Sequence, residues 1–210
     1  MRARPEGGKD LVVLVPDKNT EYAVKGLLGR PEALGVRAIA YDTFVHPRRD
    51  PGCLNEAHDI LRPLAGRYER ALVMFDQNGC GREEASPATL ADQVRDRLQR
   101  NGWPERAEVV VLVPELEVWV WSPSPHVDVC LGWAGRPPTL REWLSVHGYW
   151  PPDALKPPRP KEAMEAALRQ VRKPRSSAIY LELAHRVSLQ GHSEPAFLWF
   201  ADALQRWFSP

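Results

Sequence analysis

Short apolar runs alternate with amphipathic segments over the first 120 residues. Four runs are rich in apolar side chains and lack polar alternation, at residues 11–15, 36–41, 71–75 and 109–113. Such runs are typical of strands that are covered on both faces. We therefore predict four buried strands in this part of the chain.

Helical patterns separate these runs, at residues 20–28, 55–64 and 86–98. Thr20 or Asn19 can cap the first helix, and Ser86 followed by Pro87 begins the third. Crossovers of this length require parallel strands with helices on both faces of the sheet. The alternation therefore predicts an α/β fold with a four-stranded parallel sheet flanked by helices.

The pattern changes after residue 121. Residues 122–160 are rich in proline, glycine and tryptophan, and contain a short predicted helix at 140–147. Three further helices are predicted at 161–171, 177–188 and 194–208. We interpret 1–121 as an α/β domain and 122–210 as a connection and helical extension that packs on it. The tryptophans of this region are interpreted mainly as core residues.

Composition narrows the functional classes. Of the 210 residues, 43% are hydrophobic and 26% charged, with a net charge of +1, so a basic field over the whole protein is excluded. The three cysteines are widely spaced and are not paired with histidines, which favours reduced thiols. Residues 1–10 lack the apolar run of a signal peptide, and no stretch approaches a membrane span. A cytoplasmic location without a membrane partner is expected.

Acidic and amide side chains follow three of the four predicted strands. They are Asp17 and Glu21 after the first, Asp76 and Asn78 after the third, and Glu115 and Glu117 after the fourth. In an open parallel sheet, ligands bind beyond the carboxyl ends of the strands, so these residues are expected to converge. Any one of them alone could simply cap the following helix.

Clustered carboxylates repel one another unless a cation or shared protons neutralise them. Oxygen ligands of this kind suit Mg²⁺ or Mn²⁺, which we expect as the cofactor. Asp17 or Glu21 would hold the metal or act as general base, with Asp76 as the third candidate catalytic residue. The remaining metal ligands would come from Asn78 and from Glu115 or Glu117.

The C-terminal half is locally basic. Its cations are Lys156, Arg159, Lys161, Arg169, Arg172, Lys173 and Arg175. Lys18 adds a further positive charge near the strand ends. Such residues can contact phosphates without sequence preference, although a solvated helix face explains the same pattern.

Three motifs resemble those of a Toprim-like family of bacterial proteins. Residues 16–21 are similar to its first motif, 75–80 to its Asp-x-Asp motif, and 114–119 to its Pro-Glu-x-Glu-x-Trp signature. Lys161 and Lys173 match its lysine positions in the C-terminal half. The resemblance implies a Toprim-like (Rossmann-like) fold, and phosphodiester chemistry on DNA or RNA of the kind seen in overcoming-lysogenization-type nucleases.

The resemblance also implies a role in anti-phage defence, as a small component of a methylation-associated system with other defence proteins as partners. Lys18, Lys161, Lys173 and Arg175 would contact nucleic acid. Two departures from the family pattern weaken divalent-metal binding: Asn78 replaces the second aspartate of Asp-x-Asp, and Lys18 replaces a glycine. The alternative to a metal-dependent nuclease is therefore a catalytically degenerate scaffold that binds a partner protein or nucleic acid.

A nucleotide-binding domain is a third class. It requires a phosphate-binding loop, for which we considered the Gly-rich turn at 78–81. The turn is too short for a P-loop, and no Lys-Ser or Lys-Thr pair follows it. This class is disfavoured.

Overall fold

A computed structural model describes residues 8–189 and 193–210. The predicted α/β fold is confirmed: four strands form one parallel sheet in the order β2–β1–β3–β4. The strands are β1 (Lys9–Val15), β2 (Tyr41–Val45), β3 (Tyr68–Asp76) and β4 (Ala107–Leu112). The expectation about a signal peptide concerns residues 1–10, of which 1–7 lie outside the described residues.

Nine helices flank or extend the sheet in the described ranges. They are α1 (Lys18–Leu28), α2 (Pro31–Leu34), α3 (Arg49–Leu61), α4 (Pro87–Arg100), α5 (His126–Leu131), α6 (Leu140–Val146), α7 (Pro160–Gln170), α8 (Ser177–Arg186) and α9 (Pro195–Phe208). Short 3₁₀ turns follow α3 (Arg62–Leu64) and β4 (Leu116–Trp119). None of these helices, within the described chain, has the length and apolarity that crossing a bilayer requires.

The two faces of the sheet carry separate hydrophobic cores. Leu11 and Val13 of β1 point into a first core, which includes apolar residues of α1, α8 and α9. Val12 and Leu14 point into a second core, which α3 and α4 complete. Because successive side chains of a strand alternate between faces, an uninterrupted apolar run is what a doubly covered strand requires.

The second strand lies further along the chain than predicted. Residues 36–40 have no regular secondary structure, although the Ala40 carbonyl accepts hydrogen bonds from the Asp10 and Leu11 backbone N–H groups at 2.8 and 3.2 Å. β2 begins at Tyr41, opposite Leu11. Val36 is nevertheless buried in the first core. The apolar pattern at 36–41 therefore reflects packing against this core rather than pairing of a strand. β2 is a half-buried edge strand, and its polar residues Asp42 and Thr43 hid it from the hydrophobic pattern.

The helix after β2 begins six residues earlier than predicted, at Arg49 rather than residue 55. Pro51 and Gly52 lie in its first turn, where proline is tolerated because the N–H groups there have no partner within the helix. The earlier start places Asp50 in the first turn of α3.

The C-terminal helices pack against the α/β layers. α8 crosses α1 closely at Gly26, where an added Cβ would lie 2.5 Å from the Cβ of Ala184. α5 was not predicted. Its six residues lie in the proline-rich connection, and Val127, Cys130 and Leu131 are buried in the first core.

Candidate functional site

The strand order reverses between β1 and β3. The chain leaves β1 through α1 towards β2 on one side, whereas β3 leads through α4 to β4 on the other. At such a switch point the following helices separate and leave a crevice at the carboxyl ends of the strands. Asp17 follows β1 and Asp76 ends β3, so both lie at this crevice.

Asp76 is the most strongly perturbed acid of the site. Its Oδ1 accepts a hydrogen bond from the Leu116 backbone N–H at 2.9 Å. Burial raises the pKa of Asp76 well above its usual value, and the negative charges of Asp50, Glu117 and Asp17 raise it further. Asp50, Glu117 and Asp17 therefore lie within electrostatic range of this carboxyl group.

Asp50 is a member of the site that the sequence analysis missed. Its Oδ1 accepts a hydrogen bond from the backbone N–H of Asp76 at 2.9 Å. Burial raises the pKa of Asp50, and the charge of Asp17 adds to the shift. Pro51 directly after it was an available signal, because proline favours the first turn of a helix and therefore indicates a start near this residue.

Asp17 is the N-cap of α1. Its Oδ1 accepts hydrogen bonds from the backbone N–H of Thr20 at 2.9 Å and from the Thr20 hydroxyl at 3.0 Å. Asp17 thus caps a helix and also acts electrostatically on Asp50 and Asp76. The sequence analysis had treated capping as an alternative to a role in the site.

Glu21 is held by cations of its own helix. Lys18 and Lys25 donate to its two oxygens at 2.6 and 2.8 Å, and the Thr43 hydroxyl donates at 2.8 Å. Burial alone would raise its pKa, but these hydrogen bonds lower the pKa of Glu21 to about 2. The predicted nucleic-acid contact Lys18 is therefore engaged with a predicted catalytic residue.

Glu117 is buried in a separate polar network. Its Oε1 accepts hydrogen bonds from the Tyr180 hydroxyl and from Arg175, both at 2.5 Å. Arg175 also donates to Glu165 at 2.8 Å. This network joins the turn after β4 to α7 and α8, and it compensates the buried charge of Glu117.

Glu115 and Lys161 lie beside each other at the start of α7. The Glu115 Oε1 accepts a hydrogen bond from the Lys161 backbone N–H at 3.0 Å. Burial raises the pKa of Glu115, and the charge of Glu117 raises it further. The positive charge of Lys161 offsets part of the rise in the pKa of both Glu115 and Asp50. Lys161 therefore lies within electrostatic range of Asp50 as well as of Glu115.

Two other predicted site residues lie elsewhere. Asn78 is exposed in the turn after β3, where its backbone N–H donates to the Pro114 carbonyl at 3.0 Å. The Lys173 ammonium donates to the Cys130 carbonyl at 2.6 Å, a contact within the C-terminal half.

The carboxylate oxygens of the site are ligands of the kind that a hard cation such as Mg²⁺ prefers. Asp17, Asp50 and Asp76 offer carboxylate oxygens, and no side-chain cation forms an ion pair with any of the three in the part of the chain that the structure describes. Over that same part, however, no three or more His, Cys, Asp or Glu side chains are arranged to hold a metal ion together. The ligand chemistry fits Mg²⁺ or Mn²⁺, while the carboxylates are not assembled as a shell.

Comparison of the chain with protein-family models, curated proteins and solved structures finds no match.

Proposed function

We propose that the chain acts on nucleic acid at the Asp17–Asp50–Asp76 edge, and that it cleaves phosphodiester bonds with a divalent cation. The observation that carries the proposal is that Asp50 accepts a hydrogen bond from the Asp76 backbone N–H at 2.9 Å, and that the charge of Asp17 acts on both carboxyl groups, at the switch point of the parallel sheet. Burial raises the pKa of Asp76 and Asp50, and the negative charges of neighbouring aspartates raise it further. Unneutralised negative charge of this kind favours cation binding.

We assign separate roles to the residues of the site. Asp17, Asp50 and Asp76 would hold Mg²⁺ or Mn²⁺, which when bound polarises a phosphate oxygen and activates water. Lys161 supplies positive charge beside them and is the residue we assign to a substrate phosphate. The network of Glu117, Arg175 and Tyr180 fixes the turn whose Leu116 N–H orients Asp76.

The proposal is tested by titrating Mg²⁺ and Mn²⁺ in a calorimeter, together with cleavage assays on DNA and RNA. We expect saturable binding and cleavage by the wild-type chain, and loss of both in Asp50→Asn and Asp76→Asn. Asp153→Asn is the matched control, because Asp153 is exposed and remote in sequence from the site. Metal binding that survives both site substitutions would overturn the proposal.

A second candidate is a scaffold that binds nucleic acid or a protein without cleavage. It is favoured by the pairing of Glu21 and Glu117 with cations, and by the absence of an assembled metal group in the described chain. Nucleic-acid binding without cleavage in the same assays would select it. The anti-phage role is proposed on the family resemblance alone, and plating phage on cells that carry the wild-type or Asp76→Asn chain tests it.

A further inference from the structure

The turn that follows β3 binds a carboxylate through its backbone. The N–H groups of Gly79 and Gly81 donate to the same oxygen, Oε1 of Glu83, at 2.9 and 3.2 Å. Together with the N–H of Glu83 itself, these hydrogen bonds lower the pKa of the Glu83 carboxyl group. Three backbone donors therefore converge on one anionic group.

The backbone of this turn has the conformation of an anion-binding nest. Gly79 and Gly81 have φ values of +86° and +84°, in the left-handed region that favours glycine. Left-handed residues in a turn direct nearby N–H groups to one side, which creates a concavity for an anion. A Cβ at either glycine would meet no atom within 4 Å, so the backbone conformation explains these glycines, whereas close packing does not.

The rest of the turn is firmly held. The Gln77 side chain donates to the carbonyls of Glu83 and Ala85 at 3.1 and 2.9 Å. Cys80, between the two glycines, is buried in the second core. The N–H groups are thus preorganised, whereas the Glu83 side chain that they hold is exposed and can rotate away.

We infer that this turn is a phosphate-binding loop, and that Glu83 occupies it as an internal competitor. The Glu83 carboxylate oxygen stands in the position of a non-bridging phosphate oxygen. Exchange of one anion for the other keeps a negatively charged oxygen next to the N–H groups, so the loop needs no rearrangement to accept phosphate. The loop begins one residue after Asp76, and its assignment as a subsite for a substrate phosphate rests on the proposed function.

The test follows the amide signals of Gly79 and Gly81 by NMR during a titration with inorganic phosphate, without added metal. Glu83→Gln removes the competing charge, so we expect phosphate to shift both amides and to bind about tenfold more tightly than to the wild-type chain. Glu84→Gln is the matched control, because Glu84 is also exposed, has the same charge and does not contact the glycines. It should bind phosphate as the wild type does.

A third variant tests the backbone conformation. Gly81→Ala places a Cβ on a residue with φ of +84°, which strains the turn. In the Glu83→Gln background it should abolish the phosphate-dependent shift of Gly79, while the spectrum of the rest of the protein stays unchanged. Amides that do not shift in Glu83→Gln, or an equal gain in Glu84→Gln, would overturn the inference.

A second titration distinguishes the sources of the phosphate group. An oligonucleotide without a terminal phosphate that shifts the same amides identifies the ligand as a backbone phosphodiester. A response to inorganic phosphate alone keeps the site and assigns it to a free or terminal phosphate. Because neither titration requires metal or cleavage, phosphate binding by a chain without nuclease activity would contradict the proposed function and leave this inference intact.

Discussion

Two carboxylates near the strand ends experience opposite environments. Asp76 is half-buried within electrostatic range of three other acids, and its pKa is raised. Glu21 is also buried, but hydrogen bonds from Lys18, Lys25 and Thr43 outweigh the effect of burial and lower its pKa to about 2. Ionised Asp76 therefore destabilises the folded protein, whereas ionised Glu21 stabilises it. Stability measurements on variants can distinguish the two effects.

Asp76→Asn is expected to stabilise the protein at neutral pH. Because the pKa of Asp76 is higher in the folded chain than in the unfolded chain, its contribution to stability is lost as pH rises above the ordinary value of 3.8. We therefore expect the amide, which carries no charge, to be favoured over the ionised carboxylate at pH 7. Urea unfolding from pH 3 to pH 8 should show the difference from wild type shrink towards low pH. A variant less stable than wild type at pH 7 would contradict this.

Glu21→Gln provides the contrasting variant. The depressed pKa of Glu21 contributes stability above its ordinary value of 4.5, and that contribution is lost as pH falls towards about 2. We expect a loss on the order of 2 kcal/mol at pH 7 that disappears in acid. Opposite signs for the two variants in one unfolding series would show that their carboxylates have different roles.

The sequence could predict Asp17 and Asp76 because each directly follows a strongly apolar run. The spacing of Lys18 and Lys25 from Glu21 allows both ion pairs within one helix and was an available signal, whereas the hydrogen bond from Thr43 of β2 depends on tertiary packing. Asp50 was missed because the predicted helix began at residue 55, whereas α3 begins at Arg49 and includes Pro51 and Gly52 in its first turn.

At the scale of elements, the junction between β2 and α3 positions Asp50. His46 lies at this junction, 2% exposed, and its Nδ1 accepts a hydrogen bond from the Arg48 backbone N–H at 3.1 Å. Gly52 in the first turn of α3 approaches the same imidazole, and a Cβ there would lie 2.0 Å from Nδ1. The helix can therefore start where it does only because residue 52 lacks a side chain.

Gly52→Ala is accordingly expected to destabilise the protein. Alanine favours a helix by about 1 kcal/mol over glycine, but the buried imidazole cannot move without displacing its neighbours, so we expect a net loss of about 2 kcal/mol. Thermal unfolding measures this change. Gly66→Ala is the matched control, because an added Cβ there meets nothing within 4 Å, and its unfolding temperature should stay close to that of wild type.

Elements with uniform apolar patterns were predicted well, and the half-polar edge strand was not. β1, β3 and β4 are largely buried, so most of their residues are apolar, although Asp10 of β1 and Glu108 of β4 are buried acids. β2 places Asp42 against Lys9 and Thr43 against Glu21, and these pairings between distant segments are invisible to a local pattern.

At the scale of the whole molecule, α8 joins the C-terminal half to the α/β layers. The backbone of α1 at Gly26 comes close to Ala184 and to the Leu181 carbonyl, where an added Cβ would lie 2.5 and 2.9 Å away. The first core continues across this contact from β1 to α8 and α9. The sequence predicted both the α/β class and the helical extension, but this close helix crossing depends on two small residues 158 positions apart.

Gly26→Ala should therefore destabilise the whole chain, by about 1–3 kcal/mol, because the new methyl group separates α1 from α8. Adding Ala184→Gly removes one of the two clashing groups and should restore part of the lost stability. A double-mutant cycle monitored by thermal unfolding measures this coupling. Additive effects of the two substitutions would mean that the helices do not meet at these residues.

Two aspartates of the crevice, Asp17 and Asp50, are associated with helices on opposite sides of the sheet. Asp17 caps α1, which contributes to the first core, and Asp50 lies in α3, which contributes to the second. A ligand held by both residues would tie the two halves of the molecule together and raise the melting temperature of the entire chain. Screening salts, metals and nucleotides by thermal shift would thus find compounds that enter the crevice before any reaction is known.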